Sequence, residues 1–576
     1  MPWRRATVLL VFILLASVLM MRAMDMQILH SEFFEKQGAA RQLRVVTVPS
    51  HRGDIVDRNG EPFAVSTPVH SVWVNPQELI GSLEEIPRLA KVLSLDPIHL
   101  SDRVTASAKR EFIYLKRHVT PTMAAQVMAL SVPGVALQDE YQRFYPLGEV
   151  AAHVIGFSDI DDNGQEGIEL AFNEWLQGVD GKKLVIRDRL GRAIDDVERI
   201  SLVEPGKLIK LSLDKRLQYL TYRALKAAVL KHSAAAGSAV VLDVTTGKVL
   251  AMVNQPSFNV NDRSQLKPSA TRNRAVTDVF EPGSTMKPFT VAAALESGRW
   301  QADTDVETTP GFMRVDGNVI RDARDYGKLS VSGVIAKSSN VGISKIALSL
   351  DSEHQWGMYQ KLGLGIGTGS GFPGESAGRL SISALYNDFQ RASLSFGYGL
   401  SVTPLQLARA YAAIAADGLL RPVGFLQDGV LNATDSVRVM SAKNAQIIRK
   451  MMQQVVSDEG TGKLAQVSNY SVAGKTGTVH KFIAGGYAED RYLSIFAGMV
   501  PADNPELVMV VIIDEPGKED HFGGTVAAPV FSAVMSGAMR LLDIPPDNIS
   551  SDRLAIVPQR SKTLPVLHAA THGGQV

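Results

Sequence analysis

The run from Ala6 to Met21 carries no charge, is rich in Leu, Val, Ile and Met, and is flanked by Arg4, Arg5 and Arg22. A helix over it would reach roughly 24 Å at 1.5 Å per residue. That is a little short of a bilayer core of about 30 Å, a gap that snorkelling arginines can close. The residues that follow, Met21-Arg22-Ala23-Met24, lack the small-residue pattern of a cleaved leader. The run therefore reads as a retained anchor, with its basic end in the cytoplasm and everything after Met24 outside it.

A chain of 576 residues is too long for one hydrophobic core and implies at least two domains. Its net charge of +1 argues against nucleic acid as the main partner. It contains no cysteine, which excludes disulfides, thiol catalysis and cysteine metal sites.

Four segments follow from the pattern: an anchor over 1–24, an irregular α/β region over 25–205, a larger region over 206–557, and a tail over 558–576. The tail mixes Pro, Ser, Thr, His and Gly and is expected to be disordered. In 25–205, Leu43 to Val48 and Ser71 to Val74 read as strands. Arg52-Gly53-Asp54 and Asp57-Arg58-Asn59-Gly60 read as turns. No catalytic constellation appears there, so a binding or spacing module is expected.

In the larger region, Leu208 to Leu213 reads as an entering strand and Leu217 to Lys231 as a helix. Ser238 to Asp243 and Lys248 to Asn254 form a hairpin, and Tyr492 to Val500 with Glu506 to Asp514 a second strand pair. Between the pairs lie the helical stretches Phe289 to Leu295, Val334 to Leu350 and Pro404 to Ala416, and Ala527 to Leu542 gives a last helix. An antiparallel sheet with helices inserted between its strands is an α+β layout.

The chemistry concentrates at Glu281-Pro282-Gly283-Ser284-Thr285-Met286-Lys287-Pro288-Phe289. Proline fits a helix only in its first turn, so a helix must begin near Ser284. Ser284 and Lys287, three apart, would share a face, with Oγ and Nζ within reach. The helix N-terminus favours a developing oxyanion, and partial burial lowers a lysine pKa enough to make a neutral base. The same S-x-x-K spacing recurs at Ser212…Lys215 and Ser264…Lys267, but without the turn-to-helix context.

Two further elements accompany it. Lys337-Ser338-Ser339-Asn340 sits at a break among helices, where Ser338 and Asn340 can face a cleft; the plainer alternative is a polar turn. Ala473-Gly474-Lys475-Thr476-Gly477-Thr478-Val479 precedes the second strand pair. Its small residues let another backbone approach, and a strand edge bearing Lys475 and two threonines suits an anionic peptide.

The order Ser284…Lys287, Ser338…Asn340, Lys475-Thr476-Gly477 is the S-x-x-K, S-x-N, K-T-G set of penicillin-recognising serine enzymes. The N-terminal region resembles the pedestal of class B penicillin-binding proteins at Arg52-Gly53, Asp57-Arg58-Asn59-Gly60, Arg143-Phe144-Tyr145-Pro146 and Gly164-Gln165-Glu166-Gly167-Ile168-Glu169. Gly397 to Gln406 and Gly523 to Phe531 are similar to further parts of that family's transpeptidase domain. The wording is nearest to the septal enzymes of Gram-negative bacteria, although elongation-specific relatives share these motifs.

The resemblance implies an N-terminal transmembrane helix, an elongated non-catalytic pedestal and a transpeptidase domain built on a five-stranded antiparallel sheet. That sheet would carry helices on both faces and an all-helical subregion. It implies Ser284 as nucleophile toward the penultimate D-alanine of a stem peptide, Lys287 as base, Ser338 as proton relay and Asn340 as a hold on the substrate amide. Lys475, Thr476 and Thr478 would bind the terminal carboxylate beside Gly477, and the N–H groups of Ser284 and Thr478 would form the oxyanion hole. Tyr492 and Phe522 would line an apolar wall, in which His521 replaces the aromatic residue usual in septal relatives. No metal or organic cofactor is implied. The implied partners are stem peptides, β-lactams as covalent inhibitors, and division proteins including a polymerase of the shape–elongation–division–sporulation type. A serine β-lactamase or a D,D-carboxypeptidase shares most of this chemistry. The first lacks support in any E-x-x-L-N segment.

Overall fold

A computed structural model describes residues 2–33, 43–187, 193–264, 266–427, 436–517 and 520–548. The expected tail over 558–576 lies outside the described residues.

Helix α1 (Pro2–Met24) has none of its residues buried. Together with the turn that continues it to Leu29, it is the one span among the described residues long and apolar enough to cross a membrane. Its apolar faces meet no other part of the protein, as expected of a helix whose solvent is lipid.

The region after it holds two sheets. Strand β1 (Leu43–Val48) pairs with β5 (Gly181–Arg187), which pairs with β6 (Ala193–Ser201). The long β2 (Pro62–Val74) pairs antiparallel with both β3 (Ile113–Val119) and β4 (Val135–Phe144). Ser71 to Val74, read as a short strand, is the end of β2. Val72 and Val74 close a small core with Leu79, Leu89, Leu93 and Val104 from the neighbouring helices.

The motif residues of this region converge. Arg52 Nε donates to Glu169 Oε2 at 2.8 Å and Arg143 Nε to Glu169 Oε1 at 2.7 Å. Arg52 Nη1 donates to Asn173 Oδ1 and to the Asp162 carbonyl. Gly206 lies so close to the neighbouring chain that a Cβ there would stand 1.7 Å from the Leu176 oxygen. Asp57 accepts the N–H groups of Asn59, Glu61 and Lys215, tying this region to the next.

That next region is a five-stranded antiparallel sheet of order β8-β7-β11-β10-β9. The strands are β7 (Ala236–Asp243), β8 (Val249–Gln255), β9 (Ala473–Ile483), β10 (Gly486–Val500) and β11 (Leu507–Asp514). Alternate side chains point to opposite faces. Val241, Met509 and Val511 pack against helices α2 (Lys215–Lys231) and α8 (Ala528–Leu541). Val240, Val508 and Val510 pack against α6 (Pro404–Ala415) on the other face. Both faces are covered, which is why β7, β8 and β11 read as continuous apolar runs.

Helices α3 (Lys287–Glu296), α4 (Val331–Lys337), α5 (Asn340–Leu348), α6 and α7 (Ala442–Val456) all fall between β8 and β9 in the chain. The α+β layout, the five strands and the inserted helices match expectation. The break expected at Lys337 to Asn340 divides Val334 to Leu350 into two helices. Two boundaries differ: β10 begins at Gly486 rather than Tyr492, and only Ile209–Lys210 of the expected entering strand is extended sheet.

Candidate active site

Ser284 lies in a single 3₁₀ turn, Gly283–Met286, that leads into α3. Gly283 has φ +56, and a Cβ on it would meet Val479 Cγ2 at 2.3 Å. Only glycine can make this turn against β9. The turn is held from behind: Tyr411 of α6 donates its hydroxyl to the Thr285 carbonyl at 2.8 Å, and its ring meets Phe289 edge-on. Residues Lys287 to Leu295 of α3 are all buried.

Sequence reasoning placed Lys287 beside Ser284. Lys287 is fully buried, but its Nζ lies among other atoms. It contacts the Ser338 carbonyl at 2.5 Å, Ser338 Oγ at 3.0 Å and Asn340 Oδ1 at 2.8 Å. Ser284 Oγ makes no hydrogen bond among the described residues, and the residue is partly buried.

Ser338 ends α4 in the left-handed region, φ +59, a conformation that costs a non-glycine residue energy and clusters at functional sites. This break turns its hydroxyl between two amines. Lys475 Nζ, on β9, donates to the same Oγ at 3.0 Å and to the Thr476 carbonyl at 3.2 Å. Burial, then the neighbouring Lys475 cation, hold Lys287 well below the usual ammonium range, against a smaller opposing pull from Asp322. Burial pushes Lys475 down to about 7. A neutral Lys287 has two N–H groups and one lone pair. The Ser338 carbonyl and Asn340 Oδ1 only accept, so they take the two N–H groups. The lone pair is then left for a hydroxyl, that of Ser338 or that of Ser284. This is the electronic state a general base requires.

Strand β9 is the sheet's outer edge, so one side of Lys475-Thr476-Gly477-Thr478 has no strand partner. Gly477 serves packing: a Cβ there would stand 3.1 Å from Thr285 Cγ2 and 3.3 Å from the Pro282 carbonyl. Thr478 Oγ1 accepts the Gly523 N–H at 3.0 Å, and Thr476 shares a hydroxyl hydrogen bond of 2.8 Å with Thr461. Tyr492 stacks on His521 with ring centroids 4.0 Å apart, and His521 meets Phe522 at 4.5 Å. The three rings form one stack, and Phe522 at its end is exposed.

The other serine candidates separate cleanly. Ser212 is buried and its hydroxyl donates to the Val249 carbonyl at 2.7 Å. Ser264 is exposed and donates to Asp262 at 2.8 Å. Neither meets a lysine.

Sequence reasoning missed Asp322. Its carboxylate accepts Ser339 Oγ at 2.5 Å and the N–H groups of Asn340 and Val341 at 2.5 and 3.0 Å. It therefore caps α5 from outside the helix and fixes Ser339 and Asn340 in place. The local sequence Arg321-Asp322-Ala323-Arg324 carries no signal for this. Asn340, expected to grip a substrate amide, has both ends occupied, since Nδ2 donates to the Arg321 carbonyl at 3.1 Å. Among the described residues no group of His, Cys, Asp or Glu could hold a metal ion.

A buried lysine, a serine hydroxyl between two amines and a second serine on a helix-entry turn beside an open strand edge are an arrangement suited to serine acyl transfer. Residues 237–536 match the penicillin binding protein transpeptidase domain, and residues 47–211 the penicillin-binding protein dimerisation domain. The chain belongs to the penicillin-binding proteins, in the class B arrangement, and is a peptidoglycan D,D-transpeptidase. It is 42% identical over 548 residues to the probable peptidoglycan D,D-transpeptidase PbpC of Pseudomonas aeruginosa, covering 95% of this chain and 96% of that one. It is 40% identical over 554 residues to the peptidoglycan D,D-transpeptidase FtsI of Escherichia coli, covering 95% and 93%. Penicillin binding protein 3 of Mycobacterium tuberculosis, solved with aztreonam, superposes with a TM-score of 0.66 at 30% identity, over 87% of this chain and 98% of that one.

Proposed function

We propose that Ser284 is the nucleophile of a septal cross-linking reaction and that Lys287 is its base. Ser284 Oγ attacks the carbonyl of the penultimate D-alanine of a stem peptide, and its proton passes to Lys287. The N–H groups of Ser284 and Thr478 hold the oxyanion. Ser338, between Lys287 and Lys475, relays the proton to the departing D-alanine amine. Lys475, Thr476 and Thr478 bind the terminal carboxylate. Asn340 exchanges its contact with Arg321 for the substrate amide. Tyr492 and Phe522 border the cleft. β-Lactams acylate the same serine.

One observation carries this reading: Ser338 Oγ stands 3.0 Å from each of two buried lysine amines, one from each flanking motif. The anchor occupies 1–24, the pedestal 25–205 and the transpeptidase domain 206–557. The N-terminus lies in the cytoplasm, and the catalytic domain lies in the periplasm beyond the inner membrane. The pedestal receives a glycan polymerase of the shape–elongation–division–sporulation type.

The test is intact-mass measurement after penicillin treatment. One adduct is expected, lost in Ser284→Ala and kept in Ser212→Ala and Ser264→Ala. An adduct surviving in Ser284→Ala would remove the assignment.

A further inference from the structure

Transpeptidation needs a second substrate, and the catalytic residues above account only for the first. Its amine arrives as an ammonium ion and must lose a proton before it can attack an ester. A cavity of about 1090 Å³ opens beside the catalytic centre, with Asn340 and Glu281 both in its wall. Asn340 Oδ1 lies 2.8 Å from Lys287 Nζ, so the cavity reaches the base's own partner. Glu281 precedes Ser284 by three residues on the chain that forms the nucleophile turn.

The Glu281 carboxylate is incompletely satisfied. Oε1 accepts the Gly399 N–H at 2.8 Å and the Tyr487 hydroxyl at 3.0 Å. Oε2 is buried and has no hydrogen-bond partner, and Glu281 has no Lys, Arg or His ion-pair partner among the described residues. Leaving a charged acceptor unpaired costs free energy that an incoming cation would recover. Burial also moves this carboxyl upward from its ordinary value, against the two hydrogen bonds it accepts, which makes it the stronger base. Tyr398 and Tyr487, edge to face at 5.6 Å, form an aromatic wall beside it. Elsewhere in the lining, Arg321 and Arg379 have no acidic partner among the described residues. A zwitterionic ligand finds both complements here.

We propose that this cavity is the subsite for the acceptor stem, and that Glu281 receives its side-chain ammonium and takes one proton from it. The reading rests on acylation at Ser284. The step balances: the ammonium gives one proton to Glu281, and the freed amine nitrogen bonds to the acyl carbon. The bond from that carbon to Ser284 Oγ breaks. A second amine proton returns to Oγ through Ser338 and Lys287, and the third stays on the new amide. Arg321 and Arg379 take the carboxylate next to the amine.

The experiment uses a thioester donor ending in a D-alanyl group and measures the ratio of aminolysis to hydrolysis. Both products come from one acyl-enzyme, so the ratio does not depend on the acylation rate. With meso-diaminopimelate as acceptor, Glu281→Gln should lower the ratio by about 10- to 100-fold, the worth of a hydrogen bond to a charged group. Glu281→Asp should restore part of it. With hydroxylamine, which is neutral at pH ~7.5 and offers no ammonium, the ratio should hardly change. A ratio for diaminopimelate within about twofold of wild type in the Gln variant would overturn the subsite while leaving acylation at Ser284 intact. The wild type alone gives a second check. Aminolysis should saturate with diaminopimelate and stay linear with hydroxylamine, and linear dependence on both would equally overturn it. Absence of any acyl-enzyme at Ser284 in the wild type would overturn the underlying reading and the subsite with it.

Discussion

The pedestal and the catalytic centre both bury full charges, and they treat them in opposite ways. In the pedestal, Arg52 and Arg143 converge on Glu169, with all three side chains at most 3% exposed. Each cation meets its counter-charge at hydrogen-bond distance. In the catalytic centre, Lys287 and Lys475 are equally buried, yet no carboxylate touches either amine. Asp322 acts on Lys287 only through space. Compensated charge fixes a shape, because removing the shared Glu169 carboxylate would strand both cations. Uncompensated charge is driven to discharge, which turns an ammonium into a base.

Substitutions in the two regions should therefore separate activity from stability. The largest effect belongs to Lys287→Met. Penicillin acylation should fall by roughly 10²- to 10⁴-fold, while stability falls by only about 1–3 kcal/mol, because the buried amine's own desolvation cost disappears but the Ser338 carbonyl and Asn340 Oδ1 lose their donor. A large loss of stability would mean Lys287 is a structural tie like Arg52. Next comes Glu169→Gln, which leaves two buried guanidinium groups without their shared counter-charge and should destabilise the fold by about 3–5 kcal/mol in urea unfolding. Acylation per folded molecule should be nearly unchanged.

An effect of comparable total size, spread over several pH units, comes from pH. The folded-state pKa of Lys475, about 7, lies below its unfolded value near 10.5. Between those values the unfolded chain binds more protons, so stability rises with pH. Below about 7 both states are protonated and the penalty is constant. The wild type should thus gain on Lys475→Met across this window by up to about 1.4 kcal/mol per pH unit. Parallel stability curves would mean Lys475 keeps its proton. Smallest is Tyr411→Phe, which removes the hydroxyl holding the nucleophile turn. It should cost about 1–2 kcal/mol in thermal unfolding, with a loss in acylation that a merely distant packing change would not produce.

Most of the catalytic centre was legible because local rules announce it. Pro288 dates the start of α3, the glycines of β9 mark a close approach, and three spaced motifs name their partners. What stayed hidden was non-local. Asp322 caps a helix from a separate hairpin, so nothing beside it in sequence shows its role. Lys287 shares a turn with Ser284, but its amine is fixed by Ser338 and Asn340, some fifty residues away. The motifs around Arg52, Arg143 and Glu169 were each recognisable as turns or resemblances. Their shared ion cluster depends on contacts spanning 117 and 26 positions, and pattern cannot supply those. The break at Lys337 to Asn340 was legible, but not that it rests on a left-handed Ser338, which helix periodicity does not encode.

The central claim is that Lys287 is a neutral base at the pH where the protein works. The pH profile of the second-order rate of penicillin acylation tests it directly, with Ser284→Ala as blank. If burial and Lys475 hold the Lys287 amine far below 10.5, the rate climbs on one acid limb and levels off well before that value. A rate still rising in proportion to hydroxide through pH ~9 and beyond would show that Lys287 is an ordinary ammonium and that another group, or water, takes the serine's proton.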